Sequence, residues 1–355
     1  MFSVKNLFPG SRKTVGIDIG SSLIKLVELR DTSEGYALHH FAQVSLEKGT
    51  IENGLINDHD MLVKKIKELF KISSCGAKNV VTALSGHVVM IKKAGFRKME
   101  DEELREFIID EAGEYMPFDN INDVNFDFHI CSEQDLDPSQ MEVIIAASKK
   151  DATKSYTHAI EKAGRKVAIV DVDSFALERA YEENYDFDAD DTIALVNIGA
   201  SITNINIVKD RESVFTRNIL WGGDSITQAL QKRLDVSFKE AEMIKLEGPD
   251  ENDNTEGGPL NSLEPIFLEI ARSFDFFSST ARESDIRRIL VSGGCARIPG
   301  IADAMKEKFH CEVEIFNPFK NIGFDKNVFI PSYIKDIGPV AAVGIGLALR
   351  GMENI

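Results

Sequence analysis

Residues 14–29 of the chain read TVGIDIGSSLIKLVEL. This stretch predicts a β-hairpin, because an apolar strand runs into a Gly-Ser-Ser turn and returns as a strand that alternates between apolar and polar residues. Asp18 lies inside the first strand, where an acidic side chain is costly unless it binds something. Two interpretations remain open from this stretch alone. It is an ordinary hairpin with a polar turn, or the turn binds an anion while Asp18 holds a hydrated divalent cation, most plausibly Mg²⁺.

The same pattern recurs in residues 193–208, which read IALVNIGASITNINIV. One polar residue, Asn197, again lies two places before a turn of the form Gly-small-Ser, and an alternating strand again follows. Two such hairpins, separated by most of a domain, predict two duplicated halves that face each other.

A third motif lies in residues 288–300, which read RILVSGGCARIPG. It predicts a strand, a turn at Gly293 and Gly294, and the start of a helix near Pro299. Each of the three motifs alone is a weak signal. Their order and spacing together resemble those of the actin/hexokinase/heat-shock-chaperone ATPase superfamily, and that resemblance implies an ATP-binding fold.

The composition excludes several classes of protein. The chain has 355 residues, enough for two domains or one two-lobed unit, and its net charge of −17 without basic blocks argues against a nucleic-acid partner. Four cysteines lie far apart in the sequence, at positions 75, 131, 295 and 311. That spacing argues against a zinc site or a disulfide framework and is typical of a reducing cytoplasm.

Neither a secretory signal nor a membrane span is predicted, since no apolar run approaches roughly 18 residues. Residues 1–13 mix apolar and basic side chains and are either a flexible arm or a weak interfacial anchor. Further along the chain, Ser237 with Glu240 predicts a capping box at the start of a helix over residues 237–246. A final helix is predicted over residues 338–349, with Gly344 and Gly346 allowing another backbone to approach closely.

The chain resembles the PilM family of type IV pilus assembly proteins and, more distantly, the divisome protein FtsA, within the actin/hexokinase/heat-shock-chaperone ATPase superfamily. Beyond the three superfamily motifs, the resemblance depends on residues 15–22, on EYMPFD at 114–119, on DSFAL at 173–177 and on WGGD at 221–224. It implies an α/β, actin-like ATPase fold with two duplicated ribonuclease-H-like halves, a nucleotide cleft between them and a small inserted subdomain in each. We expect these halves at residues 14–190, with an insert of about 37–140, and at 191–355, with an insert of about 222–284.

The resemblance also implies the cofactors, ATP or ADP with Mg²⁺, and places Asp18 at the metal through water. The residues that it implies around the nucleotide are Gly20, Ser21, Ser22, Lys25, Asn197, Gly199, Ala200, Ser201, Glu242, Lys245, Gly293, Gly294 and Ile298. Glu242 and Lys245 lie one helical turn apart and therefore share a face, where they contact the nucleotide or form a solvated surface pair.

One departure from the superfamily concerns hydrolysis. Asn197 stands where many of these ATPases have Asp, and an amide cannot accept a proton from water. Asp171 and Asp173 could position the water instead, although Asp173 is equally well placed to be a helix N-cap. We therefore expect tight nucleotide binding with slow or absent hydrolysis.

The partner that the resemblance implies is the cytoplasmic N-terminal peptide of a PilN-like bitopic membrane protein. This peptide would lie in a groove of the first half beside the insert, with the 53–56 turn and the 114–119 corner as candidate contacts. Pilus motor ATPases are further candidate partners, and the chain would be cytoplasmic, reaching the inner membrane only through proteins. Two alternatives remain: a filament-forming protein like FtsA, and a small-molecule kinase of the same fold.

Overall fold

A computed structural model describes residues 14–111, 120–131, 139–187, 191–247, 259–281 and 285–353. Two expectations lie outside these ranges: the arm at residues 1–13 and the 114–119 corner. The first half contains β1 (Thr14–Ile19), β2 (Leu23–Thr32), β3 (Gly35–Ser45), β4 (Ile51–Glu52), β5 (Leu55–Ile56), α1 (His59–Ser73), β6 (Asn79–Leu84), β7 (Val89–Arg97), α2 (Asp101–Asp110), β8 (Val124–Ile130), β9 (Gln140–Lys149), α3 (Lys150–Lys162), β10 (Lys166–Val172) and α4 (Asp173–Asn184).

The second half repeats much of this order. It contains β11 (Thr192–Ile198), β12 (Thr203–Lys209), β13 (Glu212–Ile219), α5 (Gly223–Leu234), α6 (Phe238–Glu247), α7 (Glu264–Ala281), β14 (Arg288–Ser292), α8 (Ile301–Phe309), β15 (Glu312–Ile315), β16 (Gly323–Phe324) and α9 (Pro331–Arg350).

Two mixed sheets show the predicted duplication. The first has the strand order β10-β6-β1-β2-β3-β16, and the second has the order β13-β12-β11-β14-β15. In each sheet a three-stranded antiparallel meander is extended on the side of its first strand by two parallel strands. The two halves therefore share one topology.

A smaller sheet of order β7-β9-β8 lies apart from the first main sheet. Its apolar face packs with α2 around a core of its own, which includes Leu104, Ile108 and Val143. The insert expected at about 37–140 has different boundaries from the part of the chain that forms this small sheet and its core. β3 and β6 belong to the main sheet, and the residues that form a separate sheet and core run from 89 to 149.

Helix α9 joins the two halves. Its side chains share one apolar core with α4, with β2 of the first half and with β11 of the second. By length and composition α9 is apolar enough to cross a membrane, but 78% of its most apolar 18-residue window is buried inside the protein, as in an ordinary core helix.

The helix starts earlier than the expected residue 338. Pro331 occupies its first turn, where a missing N–H costs nothing, and the helix continues through Pro339 instead of beginning there. The expected close approach at its glycines is present, since a Cβ on Gly346 would lie 1.6 Å from the carbonyl oxygen of Ala176. The predicted capping box is also present. Ser237 N donates to Glu240 Oε2 at 2.9 Å, and Glu240 N donates to Ser237 Oγ at 3.2 Å.

Candidate functional site

A cleft of about 380 Å³ lies between the two halves, and the turns of both hairpins line it. Each turn closes in the same way: Gly20 N donates to Leu23 O at 3.0 Å, and Gly199 N donates to Ile202 O at 2.9 Å. A Cβ on Gly20 would lie 3.0 Å from Leu23 O, and a Cβ on Gly199 would lie 2.9 Å from Ile202 O. The close approach therefore favours glycine at the same place in both halves.

The two turns touch each other across the cleft. Ser201 Oγ donates to Ser21 Oγ at 2.8 Å. Ser22 and Ala200 also line the cleft, so every turn residue that the sequence indicates is present there. Turns of this kind present N–H groups and hydroxyls from both sides to one volume, an arrangement suited to an anion.

A charged pair lies at the base of the first turn. Asp18 and Lys25 face each other in register across β1 and β2, and Lys25 Nζ lies 2.8 Å from Asp18 Oδ2. Both side chains are largely buried, with 16% and 13% of their surface exposed, and both line the cleft. The Asp18 carboxylate could therefore bind a cation in the cleft, and the Lys25 ammonium could bind an anion there.

Asp173 and Asp171 lie in different surroundings, although the sequence predicts the same role for both. Asp173, the first residue of α4, lines the cleft. Burial, together with the negative charge of Asp18, raises its pKa to about 7. Asp171 does not line the cleft, and its Oδ2 accepts a hydrogen bond from Arg350 Nε at 3.0 Å.

Asn197 belongs to a row of amides that crosses the second sheet. Its Nδ2 donates to Asn204 Oδ1 at 3.4 Å, and its Oδ1 accepts from Ser292 Oγ at 3.3 Å. Asn204 in turn donates to Asn218, whose Nδ2 donates to Gly86 O of the first half at 3.2 Å. The row connects the second turn to the first half and engages both polar atoms of Asn197.

Glu242 and Lys245 form a network instead of a solvated pair. Lys245, with only 5% of its side chain exposed, lies 2.6 Å from Glu242 Oε2 and donates to Thr227 Oγ1 at 2.9 Å. Thr227 Oγ1 donates to Glu242 Oε2 at 2.6 Å, and Lys245 also donates to Gly223 O at 3.3 Å. Both charged residues line the cleft. Helix α6 therefore presents a fixed carboxylate and ammonium at this wall.

The glycines after β14 form the opposite wall. Gly293 has φ +88°, and a Cβ there would lie 2.6 Å from Asn197 Oδ1. Gly294 has no atom within 4 Å of its notional Cβ, so its backbone is open to a ligand. Ile298 does not line the cleft and is buried behind it with 2% exposure, while Arg297 lines it.

Several lining residues were not indicated by the sequence patterns as site residues, among them Ser85, Tyr156, Gly223, Asp224 and Phe238. A signal was available for two of them, since Gly223 and Asp224 lie in the WGGD stretch at 221–224. A Cβ on its first glycine, Gly222, would lie 2.6 Å from Gly199 O, so the stretch is packed directly under the second turn.

Comparison with known proteins gives one family. The family model described as "Type IV pilus assembly protein PilM" matches residues 16–352. A solved structure described as "PilM-PilN type IV pilus biogenesis complex" is 26% identical, with a TM-score of 0.83 over 97% of this chain and all of that chain.

More distant relatives agree on the fold. Cell division protein FtsA of Streptococcus pneumoniae serotype 2 is 21% identical over 96% of this chain and 84% of its own length. MreB5 of Spiroplasma citri bound to AMPPNP is 13% identical, with a TM-score of 0.51 over 96% of both chains. The chain has the actin-like ATPase fold.

Proposed function

We propose that this chain, which belongs to the PilM family of type IV pilus assembly proteins, is a nucleotide-binding scaffold of the pilus assembly machinery. In this proposal it binds the cytoplasmic N-terminal peptide of a PilN-like inner-membrane protein. The observation that carries it is the match to a PilM–PilN complex over 97% of the chain with a TM-score of 0.83. Retention of a PilN-like membrane protein on the immobilised chain tests it, and loss of retention when the N-terminal peptide is deleted identifies the segment bound.

The proposed nucleotide is ATP or ADP with Mg²⁺, and the residues present fit that group. The backbone of both turns and Lys25 would hold the phosphates, Glu242 and Lys245 the ribose and base, and the Gly293–Gly294 turn the adenosine. Asp18 and Asp173 support a cation, because two carboxylates near each other are stabilised by a divalent ion held through water. When bound, Mg²⁺ would neutralise charge on the phosphates.

We propose that hydrolysis is slow or absent. Asn197 is engaged by Asn204 and Ser292, and Asp171 is engaged by Arg350. Of the two aspartates that could position water, Asp173 lines the cleft and Asp171 does not, and at neutral pH Asp173 is only partly ionised because its pKa is raised to about 7. Phosphate release from Mg-ATP should stay below about 1 s⁻¹, the low end for ordinary enzymes. Faster turnover would overturn this part of the proposal.

The proposed location is the cytoplasmic face of the inner membrane, reached through protein partners. The net charge of −17 gives no electrostatic reason for direct binding to anionic lipid or to nucleic acid. The pilus motor ATPases remain candidate partners. Co-sedimentation with lipid vesicles that carry or lack a PilN-like protein tests whether the membrane is reached only through that protein.

A filament-forming role like that of FtsA is the second candidate. It is favoured by the match to FtsA over 96% of the chain. Sedimentation with and without Mg-ATP distinguishes the two, since a scaffold stays in the supernatant with its peptide bound and a filament pellets.

A further inference from the structure

A compact group of three potential metal ligands lies outside the cleft. Glu28 on β2, His40 on β3 and Cys75 after α1 each bring one ligand atom to within 4.8 Å of the other two. None of them lines the cleft described above. Glu28 and Cys75 are each 4% exposed, while His40 is half-buried. The group is therefore enclosed on most sides and open to water beside the imidazole.

The strand geometry places two histidines beside the buried carboxylate. Glu28 pairs with His40 and the next residue of β2, Leu29, pairs with Leu38, so His39 is the extra residue of a β-bulge. A bulge turns two successive side chains towards similar directions and is often found where a side chain must be re-aimed. The rings of His39 and His40 have centroids 4.1 Å apart.

Both hydrogen bonds within the group converge on one oxygen. His40 Nδ1 lies 2.6 Å from Glu28 Oε2, and Cys75 Sγ donates to the same oxygen at 3.3 Å. The buried carboxylate is thus an acceptor whose two protein partners are themselves potential metal ligands.

The thiol is held in place by its own turn. Ala77 N donates to Cys75 Sγ at 3.5 Å, and Cys75 N donates to Ser73 Oγ at 3.3 Å. These bonds fix the sulfur on the side of the Glu28 carboxylate, where it would serve as a thiolate ligand once a metal ion displaced its proton.

We propose that Glu28, His40 and Cys75 bind Zn²⁺, with water at the fourth position. Thiolate, imidazole and carboxylate are the three side-chain groups that bind zinc, whose bonds of roughly 2.0–2.3 Å separate neighbouring ligand atoms of a tetrahedral site by about 3.5 Å. The distances of 2.6 and 3.3 Å from Glu28 Oε2 to His40 Nδ1 and Cys75 Sγ are shorter than this, so His40 would move outward when zinc replaces its proton. The wide spacing of the cysteines gave no sign of this, because three separate segments supply the ligands.

The ion would join β2 and β3 to the segment that follows α1. Because the ligands come from three segments, its binding free energy would add to the stability of the folded first half. The site does not depend on the proposed nucleotide or peptide, so the outcome of its test is independent of theirs.

The test uses the full chain, stripped with a chelator and then dialysed against Zn²⁺ or Co²⁺. We expect one tightly bound zinc per chain by elemental analysis, a rise in melting temperature, and a thiolate-to-cobalt charge-transfer absorption with Co²⁺. All three should be lost in Cys75→Ser and kept in Cys311→Ser, which removes a thiol of the second half.

His40→Gln provides a second variant, in which the bound zinc should fall while the fold, followed by circular dichroism, is unchanged. Two results would overturn the proposal. One is a wild-type chain that retains no zinc. The other is equal zinc retention by wild type and Cys75→Ser.

Discussion

Ser201 Oγ donates a hydrogen bond to Ser21 Oγ at 2.8 Å, and this contact joins the turns of the two hairpins across the cleft. Ser21 is the second residue of its Gly-Ser-Ser turn and Ser201 the third residue of its Gly-Ala-Ser turn, so the contact joins neighbouring positions of the duplicated motif. Their hydroxyls are paired with each other, so an anion that enters between the turns must replace this bond with bonds to itself. The contact therefore connects ligand binding to the separation of the two halves.

Ser201→Ala should weaken nucleotide binding only modestly. A hydrogen bond to a charged phosphate contributes about 1.5–3 kcal/mol, and the bond to Ser21 that it replaces contributes about 0.5–1.5 kcal/mol. The net loss of about 1 kcal/mol corresponds to a roughly fivefold rise in Kd, measured by calorimetry with Mg-ATP. Ser279→Ala, an exposed serine on α7, serves as the control. Unchanged affinity in Ser201→Ala would show that this hydroxyl does not meet the ligand.

Lys245→Ala should impair both stability and nucleotide binding. The substitution leaves Glu242 and Thr227 without their buried ammonium partner, at a cost of about 1–3 kcal/mol. We expect a lower urea midpoint and at least about a tenfold loss of nucleotide affinity, equivalent to 1.4 kcal/mol. Lys239→Ala removes an exposed lysine from the same helix and should change neither quantity. Equal behaviour of the two variants would mean that the network is only a surface feature.

Asp173→Asn should become more stabilising as the pH rises. Burial and the charge of Asp18 raise the pKa of Asp173 from 3.8 to about 7, so the folded chain holds this proton to higher pH than the unfolded chain. The stability contribution of the wild-type carboxyl is complete below about pH 4 and is lost as the pH rises through about 7. An amide has no such loss.

The variant should therefore gain about 1–2 kcal/mol over wild type between pH 4 and pH 8, an amount reduced by the access of this carboxyl to cleft water. Urea unfolding at several pH values measures it, and Asp275→Asn, an exposed position on α7, is the control. A difference between variant and wild type that is the same at every pH would contradict the burial of this carboxyl.

The hairpins and the shared face of Glu242 and Lys245 on α6 could be predicted because their signals are local. Glycine at a turn, alternation along a strand and two charges one helical turn apart lie within a few residues of one another. The pairing of Asp171 with Arg350 could not be predicted, because 179 residues separate them. Only the packing of α9 against the first half brings them together.

The boundaries of the insert in the first half could not be predicted for a different reason. Strands of the main sheet and strands of the small sheet have the same alternating pattern. The sequence of residues 79–97 therefore does not show which of its strands belongs to which sheet. Strand pairing assigns each strand to its sheet, since β6 lies between β1 and β10 while β7 pairs with β9. The amide row from Asn197 to Asn218 is likewise a product of strand register.

Gly346→Ala should disrupt the packing of α9 against α4. The new Cβ would lie 1.6 Å from Ala176 O and 2.4 Å from its carbonyl carbon, so one of two buried backbones must move. We expect a loss of about 3 kcal/mol or more in the free energy of unfolding. Gly338→Ala in the same helix has Pro318 Cδ as its nearest neighbour at 3.6 Å and should be neutral or stabilising by up to about 1 kcal/mol. Similar losses in both would argue against the close α9–α4 contact.

The most direct test of the scaffold account is calorimetric titration of the chain with a PilN-like N-terminal peptide, with and without Mg-ATP. We predict saturable binding whose affinity changes with nucleotide, since a ligand that favours one arrangement of the halves must alter the affinity for a partner of that arrangement. Leu55 is 53% exposed on the 53–56 turn, and Leu55→Asp should lower the affinity for the peptide. Leu268 is 45% exposed on α7, and Leu268→Asp should leave that affinity unchanged. Absence of peptide binding in both conditions, with Mg-ATP itself bound, would contradict the account.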